Sequence, residues 1–157
     1  MLTNYSTSTP AFKLTEPDRL ALKDLVDYST IESIPEIWPI VAQKFPNIVA
    51  LHDPHAKPEV RLTYSQLYQQ IQQFAAGLQV LGIQPATEPT RVALFADNSP
   101  RWMIADQGIL TAGAADVVRS AQADKDELLY ILENSGSIAL VVEDLKTLQK
   151  LGSGIQD

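Results

Sequence analysis

From Arg91 onward one pattern occurs three times: a short apolar run, a polar turn, then a stretch with helical spacing. The runs are Val92-Ala93-Leu94-Phe95, Ala114 to Val118, and Ile138-Ala139-Leu140-Val141-Val142. A strand with one wet face alternates apolar and polar residues. These runs are almost unbroken, so the strands must be covered on both faces. Such strands separated by helices predict an α/β fold: a partial parallel sheet with helices on both faces and right-handed crossovers. Ser99 and Pro100 supply an N-cap and a first helical residue for the segment that ends near Gly113. Asp124 with Glu127 predicts a capped helix carrying Leu128, Ile131 and Leu132, which Asn134-Ser135-Gly136 terminates. A last helical turn or two follows through Leu145 and Leu148.

The first part of the chain is more broken, because all ten prolines lie at or before Pro100. Residues 1–30 read as a poorly ordered arm over 1–17, rich in Ser and Thr with Pro10 and Pro17, and then a short helix over Leu20, Leu22, Leu25 and Val26. After Ser33 a second helix is expected, with Glu36 as capping-box partner and Pro39 inside it. Phe45-Pro46-Asn47 stops it. Ile48 to Leu51 reads as a short buried strand and His52 to Pro58 as a loop. Thr63, with Gln66 three residues on, offers a capping box for an amphipathic helix whose apolar face is Leu67, Ile71, Phe74, Leu78 and Leu81. Gly82 supplies the left-handed cap and Pro85 prevents continuation. The domain reading is an arm with a short helix over 1–30, an α/β unit over 31–151 and a terminal tail over 152–157.

Composition narrows the function. With 157 residues the chain can bury about 70% of its unfolded surface, so it needs no covalent or metal staple. It has no Cys, which removes thiol chemistry and Cys-bound zinc. Nineteen acidic against twelve basic residues give a net charge of -7, and the cations are scattered singly. That balance repels phosphate backbones, so no nucleic-acid partner is expected. No apolar run approaches a membrane span, and Met1 to Ser6 has neither a basic segment nor an apolar core, so a cytoplasmic protein is expected.

In an open parallel sheet ligands bind beyond the carboxyl ends of the strands. Those ends are Asp97-Asn98-Ser99, Arg119-Ser120 and Glu143-Asp144. The seven glycines form no phosphate-binding fingerprint, and Gly152-Ser153-Gly154 lies in the tail. Asp97 with Asp106, or Glu143 with Asp144, could act as paired carboxylates, although acids at helix starts ordinarily cap them. His52 and His55 flank Asp53-Pro54; solvated side chains are preferred over a metal site. Trp38 and Trp102 read as packing anchors. Arg119 follows a buried strand at the functional edge, and a salt bridge to a nearby carboxylate is its simplest use.

Five short stretches together carry a resemblance. Leu62-Thr63-Tyr64-Ser65-Gln66-Leu67 is similar to a Leu-Thr-Tyr-x-Glu-Leu motif. Ile109-Leu110-Thr111-Ala112-Gly113-Ala114 is similar to Leu-x-Ala-Gly-Ala, without the Pro usual just afterwards. Arg91-Val92-Ala93-Leu94 and Asn98-Ser99-Pro100-Arg101-Trp102 lie between them, and Ala139-Leu140-Val141-Val142-Glu143 follows. Their order resembles the N-terminal region of the acyl-activating, adenylate-forming enzymes: acyl-CoA synthetases, luciferases and peptide-synthetase adenylation domains. Gly113 to Ser120, followed by Glu127 to Leu132 and Ala139 to Glu143, looks most like the cyanobacterial and plastid acyl-acyl carrier protein synthetases.

That resemblance implies the N-terminal part of such an enzyme's large domain. It also implies a parent that uses ATP and Mg2+ to convert a long-chain fatty acid to an acyl adenylate and then transfers it to the thiol of acyl carrier protein or CoA. The family's Ser/Thr/Gly-rich loop ending in Pro-Lys-Gly, its ribose-binding Asp and its C-terminal Lys have no counterpart here. The resemblance therefore implies a fragment without catalytic, cofactor-binding or metal residues of its own, inactive alone. Its partners would be the remainder of the parent enzyme and the parent's substrates, in cyanobacterial cytosol or plastid. A dimer or domain swap of the isolated piece and peripheral membrane attachment of the parent are the further expectations. The alternative is a free-standing non-catalytic α/β binding or assembly module. Acyl chain length, the choice of thiol acceptor and oligomeric state stay open.

Overall fold

A computed structural model describes residues 15–17, 29–88 and 90–155 of the chain. The contacts divide it into two units, Met1–Glu32 and Ser33–Asp157. In the first unit the described residues form a helical step at Glu16 and Pro17 and a turn at Ser29 and Thr30. The helix expected over Leu20 to Val26, and residues 1–14 of the expected arm, lie outside the described residues.

The second unit opens with a 3-10 turn, Ile34–Glu36, running into helix α1, Ile37–Lys44. Pro39 falls in the first turn of α1, where a missing N–H costs nothing because that donor has no intrahelical partner. Ser33 caps no backbone N–H. Its hydroxyl donates instead to Glu36 Oε1 at 2.6 Å, so the expected capping box does not form. Strands β1, Val49–Asp53, and β2, Val60–Thr63, make an antiparallel two-stranded ribbon. The segment expected to be a buried strand is thus an exposed-edged hairpin arm, with Ile48 55% and Val49 46% exposed. Its partner β2 went unread because Glu59 to Arg61 interrupts the apolar pattern.

Helix α2, Tyr64–Val80, has both halves of the capping box: Gln66 N–H donates to Thr63 Oγ1 and Thr63 N–H to Gln66 Oε1. Leu67, Ile71, Ala75 and Leu78 form its buried stripe. Leu81 lies past the last helical residue and is exposed. Gly82, at φ +92°, ends α2 by a Schellman pair, Gly82 N–H to Gln79 O and Ile83 N–H to Leu78 O.

The repeating half follows as β3 (Arg91–Phe95), α3 (Pro100–Thr111), β4 (Ala115–Arg119), α4 (Lys125–Ser135), β5 (Ala139–Val142) and α5 (Leu145–Leu151). The three strands are parallel in the order β4-β3-β5. Side-chain alternation sends Val92 and Leu94 of β3 to one face, against α2 and α3, and Ala93 and Phe95 to the other, against α4 and α5. Among the described residues the central strand is the most deeply buried, while β5 is half-buried with Ala139 and Val141 on one face and Leu140 and Val142 on the other. Val118 on β4 is 43% exposed and Ile138, just before β5, is 69% exposed, because each flanking strand has one neighbour among the described residues. Gly113, at φ +84°, ends α3 by a second Schellman pair and sits so close to Pro85 that a Cβ would meet its ring at 2.6 Å. Gly152–Gly154, read as tail, forms a 3-10 turn in which Gly154 is tightly packed on Leu129.

Candidate functional site

The topology picks out one place. The connection leaving β3 passes over one face of the sheet through α3, whereas those leaving its neighbours β4 and β5 pass over the other through α4 and α5. Loops that part in this way leave a crevice beyond the carboxyl end of the strand between them. That strand end is Phe95-Ala96-Asp97.

Asp97 organises this edge. Its Oδ1 accepts from Ser120 Oγ at 2.5 Å and its Oδ2 from Gln122 Nε2 at 3.3 Å, which ties the end of β3 to the loop after β4. Its own N–H reaches Glu143 Oε2 at 3.4 Å, and Glu143 N–H donates to Phe95 O at 3.0 Å, which brings in the end of β5. The Ser120 hydroxyl, against the opposing effect of burial, lowers the pKa of Asp97, with Gln122 and the Ala121 N–H adding to it. Lys150 from α5 donates to the carbonyls of Ala121 and Ala123 and holds the same loop from the other side.

Two openings flank this strand end. A cavity of about 430 Å³ lies between the ends of β3 and β4, walled by Ala96, Asp97, Asn98, Trp102, Val118 and Ser120. A larger one of about 680 Å³ lies on the β5 side. Its walls include Phe74, Leu94, Trp102, Ile104 and Val141, and its polar residues include Asp53, Lys57, Arg101 and Glu143. An apolar lining with a few polar groups is what small-ligand sites share. The Trp102 indole N–H is buried without an acceptor among the described residues.

The structure sorts the residues singled out by sequence. Asp97, Ser120 and Glu143 do come together. Asp144 caps α5 through Thr147 N–H at 2.7 Å, as its position foretold. Asp124 stands at the start of α4 but its side chain makes no cap bond. Glu127, its expected partner, instead takes Arg119 Nε at 2.6 Å, the salt bridge anticipated for that arginine. Asp106 does not work with Asp97: its partner is Asp116, and burial followed by that second carboxyl pushes it up to about 7. The available signal for the pair was the acid inside the otherwise apolar run Ala114 to Val118. His52 Nε2 lies 2.6 Å from Glu59 Oε1, and the His55 N–H closes a turn on Asp53. Trp102 packs on the α2/α3 core and Trp38 donates to Gln107 Oε1 at 2.7 Å.

Chemically, the contacts made at this edge join the strand ends to one another. Ser120 is bonded to a carboxylate whose lowered pKa makes it a poor base for a hydroxyl, and the two histidines of the chain belong to the hairpin. The residues present also do not fit a triphosphate. Phosphates bind where free backbone N–H groups open a helix. The first turn of α3 has Pro100 and gives its Trp102 N–H to Ser99; that of α4 carries Asp126 and Glu127; that of α5 is filled by Asp144. No group of three or more His, Asp or Glu is placed to hold a metal ion among the described residues. No described helix is long and apolar enough to cross a membrane.

Comparison with known proteins extends this geometry. The AMP-binding enzyme family matches residues 39–156. A chloroplastic long-chain-fatty-acid–acyl-carrier-protein ligase of Arabidopsis thaliana is 48% identical over 113 residues, 72% of this chain and 15% of that protein. Probable acyl-activating enzyme 16 of the same plant, also chloroplastic, is 44% identical over 129 residues, 81% of this chain and 18% of that one. Among solved structures, the N-terminal domain of FACL13 from Mycobacterium tuberculosis superposes with a TM-score of 0.69 at 25% identity, covering 78% of this chain and 31% of that one. The chain thus spans less than a fifth of the length of these curated relatives. By the match over three quarters of its residues, and by the α/β unit that carries it, the chain belongs to the AMP-binding enzyme family.

Proposed function

We propose that the chain is the N-terminal α/β portion of a long-chain fatty acid ligase. The parent would join a fatty acid carboxylate to AMP from ATP, with Mg2+ and release of pyrophosphate, and then pass the acyl group to the phosphopantetheine thiol of acyl carrier protein. The observation that carries this reading is the 48% identity to a plant ligase whose name specifies both the acid and the carrier protein. CoA is the second acceptor to test, since a mouse long-chain-fatty-acid–CoA ligase is 28% identical over 124 residues.

In this reading residues 31–151 serve as scaffold, with 1–30 as an arm and 152–157 as a tail, and no residue of the chain is catalytic, cofactor-binding or metal-binding. The Asp97 crevice would be a wall facing substrate, and the ATP site would lie in the remainder of the parent. Chloroplast or cyanobacterial cytosol is the expected location, with peripheral membrane attachment of the parent. The exposed flanks of the sheet favour dimers or swapped forms of the isolated chain.

Two measurements test it. Intact mass of the polypeptide captured from its source cells should be several times that of 157 residues, and a native 157-residue species would favour an assembly module instead. The full-length protein should load a long-chain fatty acid onto carrier protein or CoA with AMP release, whereas the pure 157-residue chain should show no ATP–pyrophosphate exchange. Failure of the full-length protein to load either thiol would overturn the ligase reading; exchange by the short chain would overturn the scaffold reading.

A further inference from the structure

A pair of carboxyl groups ties helix α3 to the edge strand β4. Asp106 lies inside α3 and is only 9% exposed. Asp116 stands beside Val92 in the sheet, and Val92 faces α3 in the core, so the parallel register places Asp116 on that same face. The Asp116 carboxyl lies within hydrogen-bonding reach of that of Asp106. Two carboxylates cannot make such a bond without a proton between them.

The neighbouring groups fix where that proton sits. The Trp38 indole N–H can only donate, so it holds the Gln107 amide with Oε1 toward itself, at 2.7 Å. The amide nitrogen of Gln107 is thereby turned to Asp106 Oδ2, at 2.6 Å, which makes that oxygen an acceptor. The proton is left to the contact with Asp116. Helix α3 also packs against α2, β1, β3 and the 3-10 turn. Their titratable side chains are Tyr64 and Tyr68, His52 and Asp53, Arg91, and Glu36; Arg119 lies further along β4, paired to Glu127. Among the described residues the charge that acts on Asp106 is that of Asp116 alone.

We propose that Asp106 and Asp116 form a one-proton clamp between α3 and β4 that opens as the medium turns alkaline. Burial first and Asp116 second push Asp106 from 3.8 up to about 7, which supports this geometry. Below 3.8 the group is protonated both folded and unfolded, so its contribution to stability is fully present and does not change with pH. Between there and about 7 only the folded chain keeps the proton, so each pH unit lowers the folding constant about tenfold. Above that the loss is complete and constant. Strand β4 leads into Ser120, which holds Asp97, so the clamp also secures one wall of the smaller cavity. None of this depends on the ligase reading.

Urea unfolding of the full 157-residue chain between about pH 5 and about pH 8.5 tests it, with Asp106→Asn as the comparison. The wild-type folding constant should fall about tenfold per unit up to neutrality and then level off. Asp106→Asn, which keeps an N–H donor toward Asp116, should be nearly flat. Equal slopes in the two proteins would overturn the clamp. Should the variant not fold, assigned side-chain carboxyl ¹³C titration of the wild type decides: a midpoint near neutrality for Asp106 supports the clamp, and one below about 5 overturns it.

Discussion

The two faces of the parallel sheet are built from one strand yet held together differently. On the α2/α3 side, Val92 and Leu94 enter a broad core in which five of the ten buried residues are alanine, Ala75, Ala96, Ala105, Ala112 and Ala114. That side also contains Asp106, Gln107 and the Trp102 indole, which has no partner among the described residues, and it opens into the larger cavity. On the α4/α5 side, Ala93 and Phe95 meet Leu128 and Leu151 in a small apolar cluster. Its buried polar residue, Thr147, gives both its N–H and its hydroxyl to Asp144. Close approach of helices and a polar network shape one face; a few large side chains anchor the other.

The strongest way to break the second face is Phe95→Ala. Phe95 is fully buried and central, so a loss of about 3–5 kcal/mol in urea unfolding is expected. On the first face the sensitive point is closeness rather than bulk. A Cβ on Gly108 would meet Phe74 Cδ1 at 2.6 Å, so Gly108→Val should cost about 1–3 kcal/mol by overpacking and part α2 from α3. Equal losses for the two variants in the same assay would erase the contrast.

The helix starts sharpen the comparison further. Ser99→Ala removes the neutral cap of α3 and should cost about 1 kcal/mol, with little dependence on pH. Asp144→Ala removes the ionised cap of α5 and should have the smallest effect. Its carboxyl is lowered below 3.8, first by the Thr147 N–H and then by the Thr147 hydroxyl. That contribution is present above 3.8 and disappears as pH falls through the lower folded value. Thermal unfolding in acid should therefore bring Asp144→Ala level with wild type while Ser99→Ala stays weaker.

Much of the fold was legible because its signals are short. Thr63 and Gln66 cap within one turn, Gly82 and Gly113 reverse the chain where φ must be positive, and Ser99-Pro100 starts α3, all by bonds spanning three to five residues. The candidate site was half legible: the strand ends were named, but their wiring was not. Capping by Ser33 and Asp124 failed because their expected partners, Glu36 and Glu127, took up side-chain bonds, the one to Ser33 itself and the other to Arg119. β2 was missed because charged residues break its pattern, and Asp97 was matched to the wrong carboxyl.

The sequence by itself determined the helices and the parallel strands of the second half, most caps and the family, since each rests on local hydrogen-bond geometry or on short motifs. The tertiary structure alone decided the strand order β4-β3-β5, which strand is most deeply buried, and which acids meet. The physical reason is register. Whether Ser120 reaches Asp97 across 23 positions, or Asp116 reaches Asp106, depends on which residue of β4 lies beside which residue of β3. A shift of one position would turn both side chains to the opposite face.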